Sequence, residues 1–433
     1  MNIKGIMRNG EYKTILENMA SLTGLQFASY ILPLITLPYL TWILGPERFG
    51  LTQYAISLIT YFQFFTDYGF NLSATRQLAI VKDDENKVSS IFNSVMTIKV
   101  LLCLVSLLIL MVIVTFIPKF SQDYMVYILT FGMVIGYMMF PTWLFQGLEY
   151  MKYTSILNII GKVVFTVLIF VFIHTSSDYI LVPIINSLGQ IIVGVLGLYV
   201  ALTRFKIKLK LPSRDDIRYQ LKDGWHVFIS TIAINMYTTT NTFLLGLLTN
   251  NTLVGYYSIA EKIILAVNGL LNPISQALYP FISRSVNNDK KTSITFIRKI
   301  TKIMAVLGLI MSVGLFVFAK PIILILFGES YARSVLVLQV LSAIPFMVSL
   351  STVFGIETML TFNYKRAFTT IVMLGGILDI VLGSILIILL NEVGISLSFV
   401  ITETFITVAM FLFLQRKGIK IIGNKREDEI DGI

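Results

Sequence analysis

The sequence predicts an all-α integral membrane protein with twelve membrane-spanning helices. Its 433 residues are 56% hydrophobic and only 13% charged, whereas about 25% of the residues in soluble domains are charged. The apolar residues fall in runs of 18 or more, the length that crosses the hydrocarbon core of a bilayer. The mean hydropathy of +0.80 agrees with this class.

Two kinds of loop alternate along the chain. The loops after odd-numbered spans are very short, such as "LTNNT" and "NEV", and the loops after even-numbered spans are longer and basic. The polar start of the chain has no small-residue cleavage site, so we expect the first helix to be retained. The predicted spans are 18–42, 49–70, 91–117, 124–147, 154–173, 179–203, 223–248, 253–280, 301–327, 334–361, 368–390 and 393–415.

The basic residues predict the orientation of the chain. Most Lys and Arg lie in the two tails and in the loops after even-numbered spans. An excess of these residues marks the cytoplasmic side of a membrane. We therefore expect both termini in the cytoplasm, and we attribute the net charge of +10 to topology rather than to nucleic-acid binding. The basic residues on the opposite side are Arg48, Lys119, Lys320 and Arg333.

The two halves of the chain resemble each other. "LGPERFGLTQYAIS" opens the second span and "LTNNTLVGYYSIAE" opens the eighth, with Gly50 matching Gly255. Parallel repeats about an axis along the membrane normal are a known transporter design. The expected organisation is an N-terminal lobe with its cytoplasmic segment at 1–203, a basic linker at 204–222, a C-terminal lobe at 223–415 and a cytoplasmic tail at 416–433.

Residue types that carry catalysis are scarce. The chain has one Cys and two His, and no nucleotide-binding loop of the G-x-x-x-x-G-K-[ST] type occurs. The loops opposite the basic side are too short to form a catalytic domain. We therefore expect a protein that is not an enzyme and that has no cofactor and no metal site.

Two lysines lie inside the first half of the membrane region. Lys99 and Lys162 are each about eight residues into a span from its basic end, roughly 12 Å deep at 1.5 Å per residue. A charge at the bilayer centre is costly, so such a residue usually faces a wet cavity or a partner. Together the two lysines predict a cationic patch for an anionic group such as a pyrophosphate. The alternative is that each reaches the interface or pairs with a nearby carboxylate.

The second half carries further ionisable residues inside its spans. Glu261 and Lys262 are adjacent in span eight, about 100° apart on the helix, so one of them can face a cavity. Glu357, Asp379 and Glu403 lie in spans ten, eleven and twelve. A carboxylate at such a depth is a candidate for coupling to protons or sodium. The alternative is an ion pair that holds helices together.

Uncharged polar residues form stripes on two spans. Gln26 and Tyr30 share a face of span one, and Asn235, Thr239 and Thr242 share a face of span seven. These residues predict the lining of a polar cavity, and span one also contains prolines that allow bending. Hydrogen bonding between helices is the alternative.

The stretch "FFTDYGFNLSATR" combines a helix end with charge. Gly69 and Asn71 favour a left-handed residue that terminates a helix. Asp67 and Arg76 flank this point, at the predicted cytoplasmic end of span two. We expect a gate in which these two residues pair across the cytoplasmic mouth, and a simple helix stop is the alternative.

Three segments resemble the Wzx-type O-antigen flippases, in the polysaccharide-transport branch of the MOP superfamily. They are "ENMASLTGLQFASYILPLITLPYLTWILGPERFGLTQYA", "TDYGFNLSATR" and "VGYYSIAEKI". The resemblance implies two six-helix lobes in a V shape that open alternately to either side. It also implies transfer of an undecaprenyl-pyrophosphate-linked oligosaccharide from the cytoplasmic to the periplasmic leaflet of the inner membrane, with H⁺ or Na⁺ as the coupling ion.

The resemblance implies lipid-linked oligosaccharide, membrane lipid and other polysaccharide-assembly proteins as partners. A multidrug or small-molecule antiporter of the same architecture is the main alternative, and it should have a smaller, more acidic cavity. A membrane-embedded glycan polymerase is a further alternative. That class needs a large external loop or a catalytic His pair, and neither is visible in the sequence.

Overall fold

The computed structural model describes residues 9–288 and 290–421, and every regular element in these residues is helical. Eight helices among them are long and apolar enough to cross a membrane. One of the eight, Lys365–Arg416, covers two of the predicted spans. The all-helical membrane fold is therefore confirmed, and the count of twelve spans stays a prediction.

Contacts group the chain into two compact units. The first unit is Gly24–Gly255, and the second unit combines Tyr256–Ile433 with Met1–Thr23. The predicted lobe boundaries stay a prediction. The helices of the first unit are α1 (Asn9–Asp67, which enters the unit at Gly24), α2 (Phe70–Val81), α3 (Glu85–Phe116), α4 (Pro118–Ser121), α5 (Tyr124–Thr130), α6 (Gly132–Met139), α7 (Thr142–Gly147), α8 (Met151–Phe172), α9 (Leu181–Arg204) and α10 (Arg214–Leu248), with a 3₁₀ turn at Ser176–Ile180.

The described residues of the second unit form α-helices, one π-helical segment and one 3₁₀ turn. A π-helical segment, Val353–Leu360, follows α15, and a 3₁₀ turn lies at Glu329–Tyr331. The helices are α11 (Asn251–Gly269, which enters the unit at Tyr256), α12 (Asn272–Asn288), α13 (Lys290–Phe327), α14 (Ser334–Leu341), α15 (Ile344–Thr352) and α16 (Lys365–Arg416).

Two long helices are broken at single residues. Gly45 interrupts α1 with φ 69°, and Asn391 interrupts α16 with φ 54°. Each break lies in one of the short loops that the hydropathy pattern predicts. At Asn391 the chain turns back on itself, because a Cβ placed on Gly394 would lie 2.0 Å from the carbonyl oxygen of Leu386. The helix is therefore a hairpin of two arms.

Close packing of α6 on α9 depends on glycine. A Cβ on Gly136 would lie 2.5 Å from the carbonyl oxygen of Gln190, and a Cβ on Gly194 would lie 2.6 Å from that of Gly136. Small residues of this kind let helix backbones approach each other in membranes, where apolar burial provides little driving force between helices. This contact fixes the position of α6, which carries Tyr137.

Candidate functional site

The helix break that the sequence predicts at Gly69 is confirmed. Tyr68 has φ 49° and Gly69 has φ 74°, so α1 ends at Asp67 and α2 starts at Phe70. A Cβ on Gly69 would lie 2.9 Å from the backbone nitrogen of Phe228. The position therefore requires glycine both for its backbone angle and for space.

A buried charge pair lies directly at this break. The Nζ of Lys99 on α3 is 3.8 Å from the Oδ1 of Asp67, and the two side chains are 1% and 6% exposed. The backbone N–H groups of Gly69 and Asn71 donate to the Asp67 carboxylate. These contacts place the carboxylate of the helix end against the one buried lysine of α3.

Tyr137 on α6 completes this cluster. Its ring centroid lies 5.3 Å from the Nζ of Lys99, and its hydroxyl accepts a hydrogen bond of 3.0 Å from the Nδ2 of Asn71. The cluster thus joins four helices of the first unit: α1, α2, α3 and α6. Two charges taken out of water cost several kcal/mol each, so removal of one partner leaves the other strongly destabilising.

A second polar cluster joins α2 to α10, with Arg76 at its exposed edge and Gln220 buried. The Nη2 of Arg76 donates to both carboxylate oxygens of Asp223, at 2.7 and 3.0 Å. Gln77 donates to Asp223 at 2.8 Å and to Gln220 at 3.0 Å. These contacts tie the segment after the break to the start of α10.

The expected pairing of Asp67 with Arg76 is therefore wrong in this structure. Asp67 points inward from the end of α1 and faces Lys99, whereas Arg76 lies on the outer face of α2 with 64% of its side chain exposed and faces Asp223. Two turns of helix separate Arg76 from the break, and they direct the two side chains to different partners.

The two predicted cavity lysines differ in their surroundings. Lys99 is directed at Asp67, which is the carboxylate pairing that the sequence left open as an alternative. Lys162 is half-buried on α8. A shared cationic patch formed by both lysines stays a prediction.

In the second unit, Glu357 lies within the π-helical segment. Its Oε1 accepts a 2.5 Å hydrogen bond from the Oγ of Ser275 on α12, and its Oε2 is buried with no hydrogen-bond partner among the described residues. Segments of π-helix are frequent at functional sites. Glu357 therefore combines an irregular helix backbone with a carboxylate that has only one of its two oxygens hydrogen-bonded among the described residues.

Asp379 is buried on the first arm of α16, and Glu403 is buried on the second arm. The Oδ1 of Asp379 accepts hydrogen bonds from Ser398 at 2.8 Å and from Thr402 at 3.4 Å. The Oε1 of Glu403 accepts from Ser351 of α15 at 3.1 Å. Hydroxyl groups of Ser and Thr donate these hydrogen bonds to both carboxylates.

The remaining predicted site residues lie on α10 and α11 or have side chains that are not described. Glu261 and Lys262 are adjacent and half-buried on α11. Thr242 is buried and Thr239 is half-buried on α10, next to Thr240, whose Oγ1 accepts a 2.9 Å hydrogen bond from Tyr61. The side chains of three predicted lining residues lie outside the described part of the structure: Gln26, Tyr30 and Asn235.

One charge pair was missed by sequence reasoning. Arg333 contacts Glu392 at 2.7 Å, with side-chain exposures of 59% and 2%, and its guanidinium lies 5.5 Å from the ring centroid of Tyr256. The sequence assigned Arg333 to a loop and Glu392 to the three-residue turn "NEV". The shortness of that turn could have indicated the pair, because a carboxylate in so short a turn must lie close to the ends of the neighbouring helices.

Comparison with known proteins gives a consistent result. Residues 15–286 match the family described as "Polysaccharide biosynthesis protein". The chain is similar to two proteins named "Putative O-antigen transporter". The one from Escherichia coli (strain K12) is 34% identical over 93% of this chain and 97% of its own length. The one from Shigella dysenteriae is 27% identical over 91% of this chain and 98% of its own length.

Solved structures share the fold. An inward-facing multidrug resistance MATE transporter of the MOP superfamily superposes with a TM-score of 0.74 at 12% identity, over 91% of this chain and 96% of its own. The lipid II flippase MurJ in an inward closed conformation superposes with a TM-score of 0.71 at 15% identity, over 93% of this chain and 90% of its own. At these identities the likeness concerns the fold alone.

Proposed function

The chain belongs to the polysaccharide biosynthesis protein family, and we propose that it is a flippase for a lipid-linked oligosaccharide, the repeat unit of an O-antigen. The observation that carries the proposal is the 34% identity, over 93% of the chain, to a protein named "Putative O-antigen transporter". The match spans both units. The substrate moves from the cytoplasmic to the periplasmic leaflet of the inner membrane, and both termini lie in the cytoplasm.

Buried polar groups line the path and provide polar contacts for the glycan. A glycan cannot cross hydrocarbon without polar contacts, because an unpaired polar group costs several kcal/mol there. The Lys99–Asp67 pair and the carboxylates of Glu357, Asp379 and Glu403 provide such groups at span depth. The isoprenoid tail is apolar and needs no such path. It stays in the bilayer while the cavity opens alternately to the cytoplasmic and the periplasmic side.

Recognition of the substrate uses cations. The pyrophosphate and the Asp67 carboxylate carry the same sign of charge, so the pyrophosphate competes with Asp67 for Lys99. Lys162 and Lys262 are further candidates for the same contact. At the predicted cytoplasmic mouth, the pyrophosphate competes with Asp223 for Arg76, whose side chain is exposed. Release of Asp223 then frees α2 from α10, which makes the Arg76–Asp223 pair the gate.

Ion coupling is assigned to the buried carboxylates. Asp379, Glu403 and Glu357 accept hydrogen bonds from Ser or Thr hydroxyls, and a hydroxyl also bonds to a protonated carboxyl. These sites therefore tolerate both protonation states, which an exchange of H⁺ or Na⁺ requires. Glu261 is a further candidate. The proposal needs no cofactor other than the ion, and it places the chain alongside other polysaccharide-assembly proteins.

The test is deletion of the gene in its host followed by complementation. We expect the deletion to remove surface O-antigen completely and to leave the lipid-linked repeat unit inaccessible to a glycosidase added outside spheroplasts. The plasmid-borne gene should restore both. If the lipid-linked unit reaches the outer leaflet in the deletion strain, the flippase proposal is wrong.

Two other functions give different results in the same strain. A polymerase defect leaves single repeat units on the surface, whereas a flippase defect leaves none. A multidrug antiporter of the MATE type changes resistance to cationic dyes such as ethidium. An unchanged minimal inhibitory concentration for ethidium, together with loss of all O-antigen, therefore supports the flippase.

A further inference from the structure

An apolar groove runs along the second unit between α13, α15 and α16. Its volume is about 720 Å³. Apolar side chains form most of its walls. These side chains include Phe346, Met347, Leu350, Phe354, Val408 and Phe411.

The length of the groove along the helices is most of the thickness of one membrane leaflet. Its walls extend from Arg298 to Ala305 on α13 and from Thr404 to Phe411 on α16. At 1.5 Å per residue each wall is about 11 Å long. The hydrocarbon of one leaflet is about 15 Å thick, which is half of the bilayer core. An acyl chain of a single leaflet fits this length, and a polyprenyl chain is much longer.

Two cations stand at one end of the groove. Arg298 and Lys302 are four residues apart on α13, so they share one helix face. The Nε of Arg298 donates a 2.6 Å hydrogen bond to the carbonyl oxygen of Lys420, which fixes the guanidinium at the groove end. Lys302 is exposed. Among the described residues that line the groove, none is acidic.

The charge and the apolar walls together define the ligand. We propose that this groove binds an anionic phospholipid, with its phosphate between Arg298 and Lys302 and one acyl chain along α13 and α16. The cationic end is on the side that the charge pattern assigns to the cytoplasm, where basic residues near the surface attract anionic lipids. The lipid fills the space between three helices and stabilises their packing, so it acts as a structural ligand distinct from the transported substrate.

Native mass spectrometry of the purified full chain tests the proposal. The protein is mixed in detergent with phosphatidylglycerol or with phosphatidylethanolamine at equal concentration. We expect phosphatidylglycerol to bind about tenfold more tightly, and the double variant Arg298→Gln, Lys302→Gln to lose this preference. The matched control is Lys299→Gln, which removes an exposed charge from the same turn of α13 outside the groove lining and should bind like wild type.

A second variant tests the groove without a change of charge. Val408→Trp places an indole in the groove and should reduce binding of both lipids, whereas Ile401→Trp, at an exposed position of α16 outside the lining, should not. Equal binding of the two lipids to wild type would overturn the proposal, as would unchanged binding in the double variant. The proposal also fails if undecaprenyl pyrophosphate displaces phosphatidylglycerol from the groove at equal concentration, because the occupant would then be the substrate.

Discussion

Lys99 and Asp67 form a buried ion pair at the break between α1 and α2, with 3.8 Å between nitrogen and oxygen. The carboxylate belongs to the last residue of α1 and the ammonium to the interior of α3. Their attraction therefore fixes the direction in which the chain leaves α1.

Loss of Lys99 should destabilise the protein strongly. Lys99→Met leaves the Asp67 carboxylate buried without a counter-charge, which costs about 3–5 kcal/mol. The second substitution Asp67→Asn should recover most of that loss, because it removes the uncompensated charge. Unfolding of the wild type, the two single variants and the double variant in mild detergent measures both effects. A double variant as unstable as the sum of the single variants would show that the two residues do not interact.

The Arg76–Asp223 pair should affect transport more than stability. Arg76→Asp should reduce surface O-antigen severely, since it breaks the link between α2 and α10, and the exchange Arg76→Asp, Asp223→Arg should restore it. Stability should change by less than about 1 kcal/mol, because the arginine is mostly exposed. The control is the same exchange at Lys82 and Glu149, an exposed pair of the same unit. Normal O-antigen in Arg76→Asp would exclude the gate.

Neutral amides should separate coupling from folding in the second unit. Asp379→Asn and Glu403→Gln keep a hydrogen-bond acceptor for the hydroxyls of Ser398 and Ser351, so the variants should reach the membrane at wild-type levels. We expect one of them to abolish the dependence of transport on a proton or sodium gradient in reconstituted vesicles. If both variants transport with unchanged ion dependence, neither residue is the coupling group.

Glycine packing between α6 and α9 should be sensitive to any side chain. Gly136→Ala places a Cβ against the backbone of Gln190, and overpacking of this kind costs about 1–3 kcal/mol. Gly314→Ala is the matched control, because nothing lies within 4 Å of its Cβ position on α13. The melting temperature in detergent should fall for the first variant and should not fall for the second.

Asp84 should make the start of α3 sensitive to acid. Its side chain accepts the backbone N–H groups of Lys87 and Asn86 at 3.1 Å, and these bonds hold the pKa of the carboxyl below its usual value. The stabilisation is complete above the unfolded pKa of about 3.9 and is lost as the pH falls through the lower folded value. Asp84→Ala should therefore lower the melting temperature at pH 7, and the difference from wild type should disappear in strong acid.

Local features of this chain were predictable and distant partners were not. The break at Gly69 and the short turns at Gly45 and Asn391 follow from glycine, asparagine and span length, which act within a few residues. Arg76 and Asp223 lie on separate helices, 147 residues apart in the chain. Periodicity gives the face of a helix on which a charge lies, but it does not give the helix that packs against that face.

The same reasoning explains the outcome for Asp67. Its neighbour in sequence with the opposite charge, Arg76, was the natural partner to predict. Burial decided otherwise, because a carboxylate at the inner end of α1 reaches the buried Lys99 of α3 and does not reach the exposed face of α2. The π-helical winding at Glu357 was likewise not predictable, since it depends on the packing around Val353–Leu360 rather than on propensity.

The turn at Asn391 bears on how the chain enters the bilayer during synthesis. An aspartate alone in a nascent membrane helix resists partition from the translocation channel, at about 2.5–3.5 kcal/mol on insertion scales. In α16 the carboxylate of Asp379 is bonded by Ser398 and Thr402 of the returning arm. The first arm therefore gains these two hydroxyl partners only when the second has emerged from the ribosome. The two arms should leave the channel together, as one inserted hairpin.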